Sequence, residues 1–347
     1  MRIASPVKAL TPYVPGEQPK SRSVVKLNTN ENPYPPSPLV EKTLASFDLD
    51  RLRRYPDPVF AELRARIAEL NGADAANVFV GNGSDEILSL AARAFVEDDE
   101  AIGSFDPSYS LYRTLAAIRN VAFVPSPLAE GFGWAPPVTE GVALFLLTNP
   151  NAPTSLRYPA ETVAEFARGF PGVVIVDEAY ADFSDANCMS LATAADNANV
   201  IVMRTLSKSF SLAGLRLGYC VGPADLIEAL FKVKDSYNVD AIAQEVALAA
   251  LHDIPWMRRN TSKVVATRER TAEELRRRGW DVPESQSNFL FARPAHRPAA
   301  ELFEALRTRS IFVRYFPGPR TGDRLRITIG TDADMAQLLD ALAALDA

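Results

Sequence analysis

Histidine and cysteine are scarce in these 347 residues, two of each. His252 and His296 have no companion at ligand spacing, which argues against a zinc site and against a Ser-His-Asp triad. Cys188 and Cys220 are too few for a disulfide framework and suit a reducing compartment, where they read as small buried hydrophobes. Long apolar runs are missing too. No stretch approaches the ~18 residues of a membrane span, and Met1 to Pro6 hold no apolar signal core, so a cytoplasmic protein with no membrane partner is expected. Excess positive charge is also lacking. With 37 basic and 43 acidic side chains the net charge is −6, which gives no general attraction to nucleic acid. Any phosphate must then meet a local site.

What is present is ordinary for a folded protein: 47% hydrophobic and 23% charged residues, over a length that suits about two domains. Residues 1–35, with "NENPYPPSP" from Asn30, lack either hydrophobic period and read as an extended N-terminal arm. From 36 to about 240, short apolar runs alternate with helical patterns. The runs are 78–80, 101–105, 121–124, 142–147, 173–176, 200–203 and 219–221, with helices such as 84–95, 110–118 and 160–170 between them. Strands this continuously apolar are covered on both faces, so the expected class is α/β, a mostly parallel seven-stranded sheet wrapped by helices. After Asp240 the pattern changes. Helices over 241–251, 256–278, 299–309 and 333–345 and strands over 289–292, 311–314 and 325–329 read as a smaller α+β domain over 241–347, which the arm could complete.

Ligands of open parallel sheets sit beyond the carboxyl ends of the strands, so residues just after each run carry the information. Five places are unusual. Gly81-Asn-Gly-Ser-Asp-Glu86 joins a tight turn to a helix opened by Ser84, a setting for phosphate or an ordinary N-cap. It is neither a Walker motif nor a full GxGxxG. Tyr109 begins a helix after 101–105 and could lie flat on a planar ligand, or pack in the core. Thr148-Asn-Pro-Asn-Ala-Pro-Thr154 can present fixed donors, though turn formation alone accounts for it. Asp177 ends a buried strand, where a carboxylate must be paired or hydrogen-bonded. Lys208 stands between two serines after 200–203, with Arg216 beyond an apolar, Gly-containing segment. A lysine and an arginine converging at a strand edge suit a ligand with both a carbonyl and a phosphate. Pyridoxal phosphate is one. It needs a lysine for the Schiff base, an acid opposite its ring nitrogen, a phosphate cup and usually a stacked aromatic ring. Lys208, Asp177, the Gly83-Ser84-Asp85 turn with Ser207 and Arg216, and Tyr109 supply these in order along one sheet.

With those residues in view, the chain resembles the aspartate-aminotransferase-like superfamily of pyridoxal phosphate enzymes, and within it the histidinol-phosphate aminotransferases. The resemblance is carried by "LTPY" at Leu10, "NENP" at Asn30, "RYPD" at Arg54, "GNGSDE" at Gly81, "NPNAPT" at Asn149, "VDEAY" at Val176, "TLSKSFSLAGLRLGY" at Thr205, "SNFLFAR" at Ser287 and "LRITIGT" at Leu325. It implies that Lys208 holds the cofactor and shuttles protons, that Asp177 keeps the ring nitrogen protonated, and that Tyr180 bonds the ring oxygen. It implies Tyr109 on the ring, and Gly83, Ser84, Asp85, Thr205, Ser207 and Arg216 around the phosphate. Tyr55 would reach the site of the neighbouring subunit in a homodimer; Arg326 would take the substrate anion, with Asn30 and Tyr13 near the entrance. Two departures stand out. Ala152 replaces the asparagine that usually meets the ring oxygen, so either Asn151 makes that contact after a local shift or the contact is missing. Some members carry a phosphate-binding arginine near Gln337, a role Arg314 or Arg324 could fill.

The implied reaction is transamination of histidinol phosphate with 2-oxoglutarate, giving imidazole acetol phosphate and glutamate, a step of histidine biosynthesis. An aromatic or broad-range aminotransferase is the nearer alternative. A decarboxylase acting on threonine phosphate, on the same scaffold, is the further one.

Overall fold

A computed structural model describes the chain at residues 2–3, 5–10, 16–19 and 24–346. A short helix α1 (Ser5–Ala9) and a two-residue strand β1 (Val25–Lys26) lead to helices α2 (Pro38–Ala45) and α3 (Ala61–Asn71). The helix α1 falls inside the stretch expected to be extended; Pro6 sits in its first turn, where a missing N–H is tolerated.

The large sheet follows as β2 (Val78–Gly81), helix α4 (Ser84–Ala94), β3 (Ala101–Asp106), helix α5 (Leu111–Arg119), β4 (Ala122–Pro127), β5 (Val142–Thr148), helix α6 (Ala160–Gly169), β6 (Val173–Asp177), β7 (Val200–Thr205), β8 (Gly218–Val221) and helix α7 (Ala224–Val233). Its seven strands lie in the order β2-β8-β7-β6-β5-β3-β4. Only β8 runs against its neighbours. Alternate residues of the central strands feed two separate cores. Phe145, Leu147, Val174, Val176, Val200 and Val202 pack beneath α3 and α6; Leu144, Leu146, Ile175, Ile201 and Met203 pack beneath α4, α5 and α7. Both faces are therefore dry, as the unbroken apolar runs require. Because β2, β3, β5, β6 and β7 share one direction, Ser84, Tyr109, Thr148, Asp177 and Thr205 all emerge at the same edge.

The remainder contains α8 (Ala241–His252), α9 (Ile254–Arg277), β9 (Phe289–Ala292), α10 (Ala299–Thr308), β10 (Ile311–Phe312), β11 (Arg314–Tyr315), β12 (Leu325–Thr328) and α11 (Asp332–Asp346). A three-stranded antiparallel sheet, β11-β12-β9, and a parallel pair, β1-β10, cover a third apolar cluster with Leu275, Leu290, Leu306, Ile327 and Leu338 at its centre. The single strand expected over 311–314 is thus two. Val313 is buried between the halves, and each half pairs with a different partner, β10 with β1 and β11 with β12. Helix α8 packs back against α2 and α3.

Candidate active site

The carboxyl edge of the large sheet and the β11-β12-β9 sheet enclose a cavity of about 460 Å³. Lys208 enters it from the turn after β7. That turn is held by Thr205, whose Oγ1 accepts from the Ser207 N–H (3.1 Å) and donates to Ser207 Oγ (2.9 Å). Lys208 Nζ donates to the Thr29 carbonyl (3.2 Å) and lies 5.9 Å from the centre of the Tyr180 ring. Burial, followed by the positive charge of Arg326, lowers the ammonium to about 8, against the opposing pull of Glu31 and Asp85. An amine so placed is neutral for part of the time near neutrality, which a nucleophile needs.

Asp177 closes β6 as a buried side chain. Its Oδ2 accepts from the Tyr112 hydroxyl (2.8 Å) and its Oδ1 from the Ala179 N–H (3.2 Å). Loss of hydration raises its carboxyl to about 6, with the Tyr112 bond opposing the rise. Tyr180, one turn further, accepts from Asn30 Nδ2 (2.9 Å). Asn30, left-handed at φ 56°, is fixed in turn by Thr328 Oγ1, which accepts from its N–H and donates to its Oδ1, and by Asn288, which donates to its carbonyl. Asn30 therefore reaches the cavity as expected, but with its amide committed to Tyr180.

At the head of α4 the turn is tight in a way that admits only glycine. A Cβ on Gly83 (φ +81°) would come within 2.7 Å of Arg216 Nη2, and one on Gly218 within 2.6 Å of the Ser84 nitrogen. The outcome is a small cup. Ser84 and Asp85 begin α4 with N–H groups that have no intrahelical acceptor, and Ser207 and Arg216 flank them. Arg216 holds left-handed φ (58°), a conformation that costs a non-glycine residue about 1 kcal/mol and is kept where the surroundings dictate it. Its guanidinium is half exposed and meets Asp85 only at 3.5 Å. Tyr109 borders the same space, with its hydroxyl donating to Asp85 (3.3 Å). This cup has the donors for a phosphate, and its one acid can be outcompeted.

On the opposite wall Arg326 (β12) lies over Phe289 and Phe316 and donates to the Asn28 carbonyl (3.0 Å). Arg314 (β11) joins it in the lining, whereas Arg324 is turned away to Asp281 (2.6 Å). Gln337 is on the exposed side of α11 and outside the cavity, whereas Arg314 lines it together with Arg326. Asn151 needs correction as a ring-oxygen contact. Its amide ties two loops together, donating to the Pro107 carbonyl after β3 and to Thr154 Oγ1 of its own loop and accepting from Ser108, and Ala152 and Pro153 form the wall there. Tyr55 does not line the cavity of its own chain; it is 80% exposed and stacked on Tyr237 at 4.3 Å. Tyr13 lies outside the described residues.

Sequence reasoning missed a clamp behind the site. Arg204 of β7 donates through Nε and Nη2 to Glu178 Oε2 (3.0 and 2.8 Å) and through Nη1 to Asp182 (3.3 Å), while Asp182 accepts from Ser209 beside Lys208. The other Glu178 oxygen accepts from the Cys188 N–H. The signal was faint: an arginine ending an apolar strand and a second acid after Asp177. Also missed was Tyr112, three residues after Tyr109 on the inward face of α5, where the helical period alone describes a core residue. Among the described residues no group of His, Cys, Asp or Glu side chains could hold a metal ion, and no helix is long and apolar enough to cross a membrane.

Residues 22–342 match the family described as aminotransferase class I and II. The chain is 43% identical over 343 residues to histidinol-phosphate aminotransferase 1 of Nostoc sp., covering 97% of this chain and 96% of that protein. To histidinol-phosphate aminotransferase of Aromatoleum aromaticum it is 44% identical over 347 residues, with 97% and 96% covered. Among solved structures, the histidinol-phosphate aminotransferase from Sinorhizobium meliloti in complex with pyridoxal-5'-phosphate superposes with a TM-score of 0.87 at 25% identity, covering 99% of this chain and 98% of that one.

Proposed function

This chain belongs to the class I and II aminotransferase family, and on that premise we propose that its amino donor is histidinol phosphate and its acceptor 2-oxoglutarate. It is a pyridoxal-phosphate-dependent aminotransferase. The observation that carries the reading is one enclosed space bordered by a lysine lowered to about 8, an aspartate raised to about 6 and a glycine-walled cup with an arginine.

The residues present fit the cofactor. Ser84, Asp85, Ser207 and Arg216 would take its phosphate, with Gly83 and Thr205 shaping the turns; Tyr109 would cover the ring, Tyr180 would bond the ring oxygen and Asp177 the ring nitrogen. When bound, pyridoxal phosphate supplies an electron sink for the charge left when a Cα proton departs. Asp177 would hold a proton on the ring nitrogen and so keep that sink cationic. Lys208 Nζ would take the substrate's Cα proton and later give it up, acting in turn as base and acid. Arg326 and Arg314 hold the substrate anion, and Asn30 orients Tyr180 at the entrance. Residues outside the described segments would add Tyr13. Two phosphates, one on the cofactor and one on the substrate, suit a cavity lined by Arg216 from the large sheet's edge and by Arg314 and Arg326 from β11 and β12.

We place the cofactor unit at 36–240 and the smaller unit at 241–347 with the arm 1–35. The working protein is a cytoplasmic homodimer with Tyr55 donated to the neighbouring site, a reading supported by the exposure of Tyr55. Single-turnover spectra with glutamate, histidinol phosphate and phenylalanine test the substrate. The first two should each bleach the chromophore rapidly and phenylalanine should not; equal speed with phenylalanine would make the enzyme a broad-range aminotransferase. Lys208→Ala should lose turnover by at least about 10⁴-fold and fail to fix the cofactor on borohydride reduction.

A further inference from the structure

Asp177 is fed by hydroxyl groups that the proposed chemistry has not used. Tyr112 is wholly buried on α5, and its oxygen lies 2.8 Å from Asp177 Oδ2 and 2.6 Å from Thr148 Oγ1. Thr148 is buried in its turn, and its oxygen lies 3.3 Å from Ser108 Oγ. Each hydroxyl has one proton to give. If Asp177 is ionised it can only accept, so the Tyr112 proton must point to it. Tyr112 can then only accept from Thr148, which fixes the Thr148 proton as well. Thr148 is left as an acceptor for Ser108, whose proton is shared with Asn151 Oδ1 (3.1 Å). A neutral Asp177 would break this order, because its own O–H could donate back into the chain.

We propose that Tyr112 and Thr148 form a buried, one-directional relay that holds Asp177 as an anion aimed at the cofactor nitrogen, and that Tyr112 is a positioning residue for the reaction. The inference rests on the reading of Asp177 as the ring-nitrogen partner. Loss of hydration works against a buried carboxylate, and charge-assisted hydrogen bonds are the main local means of offsetting it. Bonds polarised in one sense also strengthen one another. The titratable groups acting on Asp177 are Tyr112 from α5, Asp85 from α4 and Glu178, the next residue after β6. Tyr109 acts on it through Tyr112. Both nearby acids disfavour the anion, and the relay opposes them on Oδ2 as the Ala179 N–H does on Oδ1.

Tyr112→Phe removes one oxygen and keeps the ring that packs in the core, and Thr148→Val removes the second hydroxyl. In the full-length holoenzyme, Tyr112→Phe should lower kcat about ten-fold with little change in KM and move the acid limb of the kcat profile up by about one pH unit. Thr148→Val should move both in the same direction by less, and the double variant should resemble Tyr112→Phe alone. A second readout needs no cofactor. In the cofactor-free protein, the infrared carboxylic band that disappears in Asp177→Asn should titrate about one pH unit higher in Tyr112→Phe. Unchanged kcat, acid limb and band in Tyr112→Phe, beside a severely impaired Asp177→Asn, would overturn the relay and leave the role of Asp177 standing. A fully active Asp177→Asn would bring down both.

Discussion

Lys208 and Asp177 are displaced in opposite senses by one cause, loss of water, and the two displacements make separate predictions. For the lysine, the neutral amine is the reactive form. Its fraction in the cofactor-free protein rises as pH passes about 8 rather than about 10.5. Capture of pyridoxal phosphate by that protein, followed by stopped-flow absorbance from pH 6 to 10, should therefore accelerate with a midpoint near 8. A midpoint two units higher would show that the amine is not held as described. For the aspartate the folded value lies above the unfolded one, so its contribution to stability is fully present below about pH 3.8 and is lost as pH rises through about 6. Asp177→Asn should then stabilise the cofactor-free protein at pH 7.5 by on the order of 1–2 kcal/mol in denaturant unfolding, and give no gain at pH 4. In the holoenzyme the same change should retain the cofactor and lose most of the rate. A position that weakens the empty fold while serving the chemistry is one the fold would have no reason to keep ionised on its own account.

The strands and their carboxyl-end turns were legible because each carries its own local signal. Unbroken Val/Ile/Leu runs announced the doubly covered sheet, and Gly83, Asp177 and Lys208 each stood out immediately after one of them. What the order of residues could not convey is which turns are tied together. Arg204 is the clearest case. Its guanidinium joins β7 to Glu178 and Asp182 after β6, and through Asp182 to Ser209, so the turn bearing Lys208 is tied to the turn bearing Asp177 and Tyr180. Tyr112 was hidden for the same reason, since helical period identifies an inward face and says nothing of the hydroxyl at its tip. Asn151 misled in the opposite way: a polar residue in the right loop spends its amide on the Pro107 carbonyl of the neighbouring loop after β3. The Arg204 clamp has a measurable cost of removal. Glu178 is completely buried, so Arg204→Met leaves a carboxylate without its cation and should destabilise the fold by about 3–5 kcal/mol in denaturant unfolding. Arg204→Met combined with Glu178→Leu should recover much of that loss, because the unpaired charge is gone. If Arg204→Met alone costs less than about 1 kcal/mol, the two turns are held by packing.

At the scale of the whole molecule the unexplained feature is a run of exposed apolar side chains on one stretch of chain. Leu39 and Leu44 on α2, Leu49 and Leu52 in the turn that follows, and Tyr55 are all exposed, and Tyr55 rests on the likewise exposed Tyr237. Such a concentration calls for a covering surface. Under the proposed homodimer the cover is a second copy, and the protein should have twice the 37.9 kDa chain mass in light scattering, with Leu49→Asp and Leu52→Asp together shifting it to the single mass. The sharper prediction concerns where Tyr55 acts. Tyr55 does not line the cavity of its own chain, so under the proposed homodimer a subunit with Tyr55→Ala makes a sound site only if its neighbour supplies the tyrosine. Mixing Tyr55→Ala subunits with Lys208→Ala subunits yields hybrids in which one site has a native lysine with the partner's native tyrosine and the other has neither. The hybrid should regain about half the activity of the unaltered dimer, although Lys208→Ala alone is dead and Tyr55→Ala alone is weak. No recovery after verified subunit exchange would mean that Tyr55 serves its own chain or none, and the shared site would have to be abandoned even if the dimer itself survived.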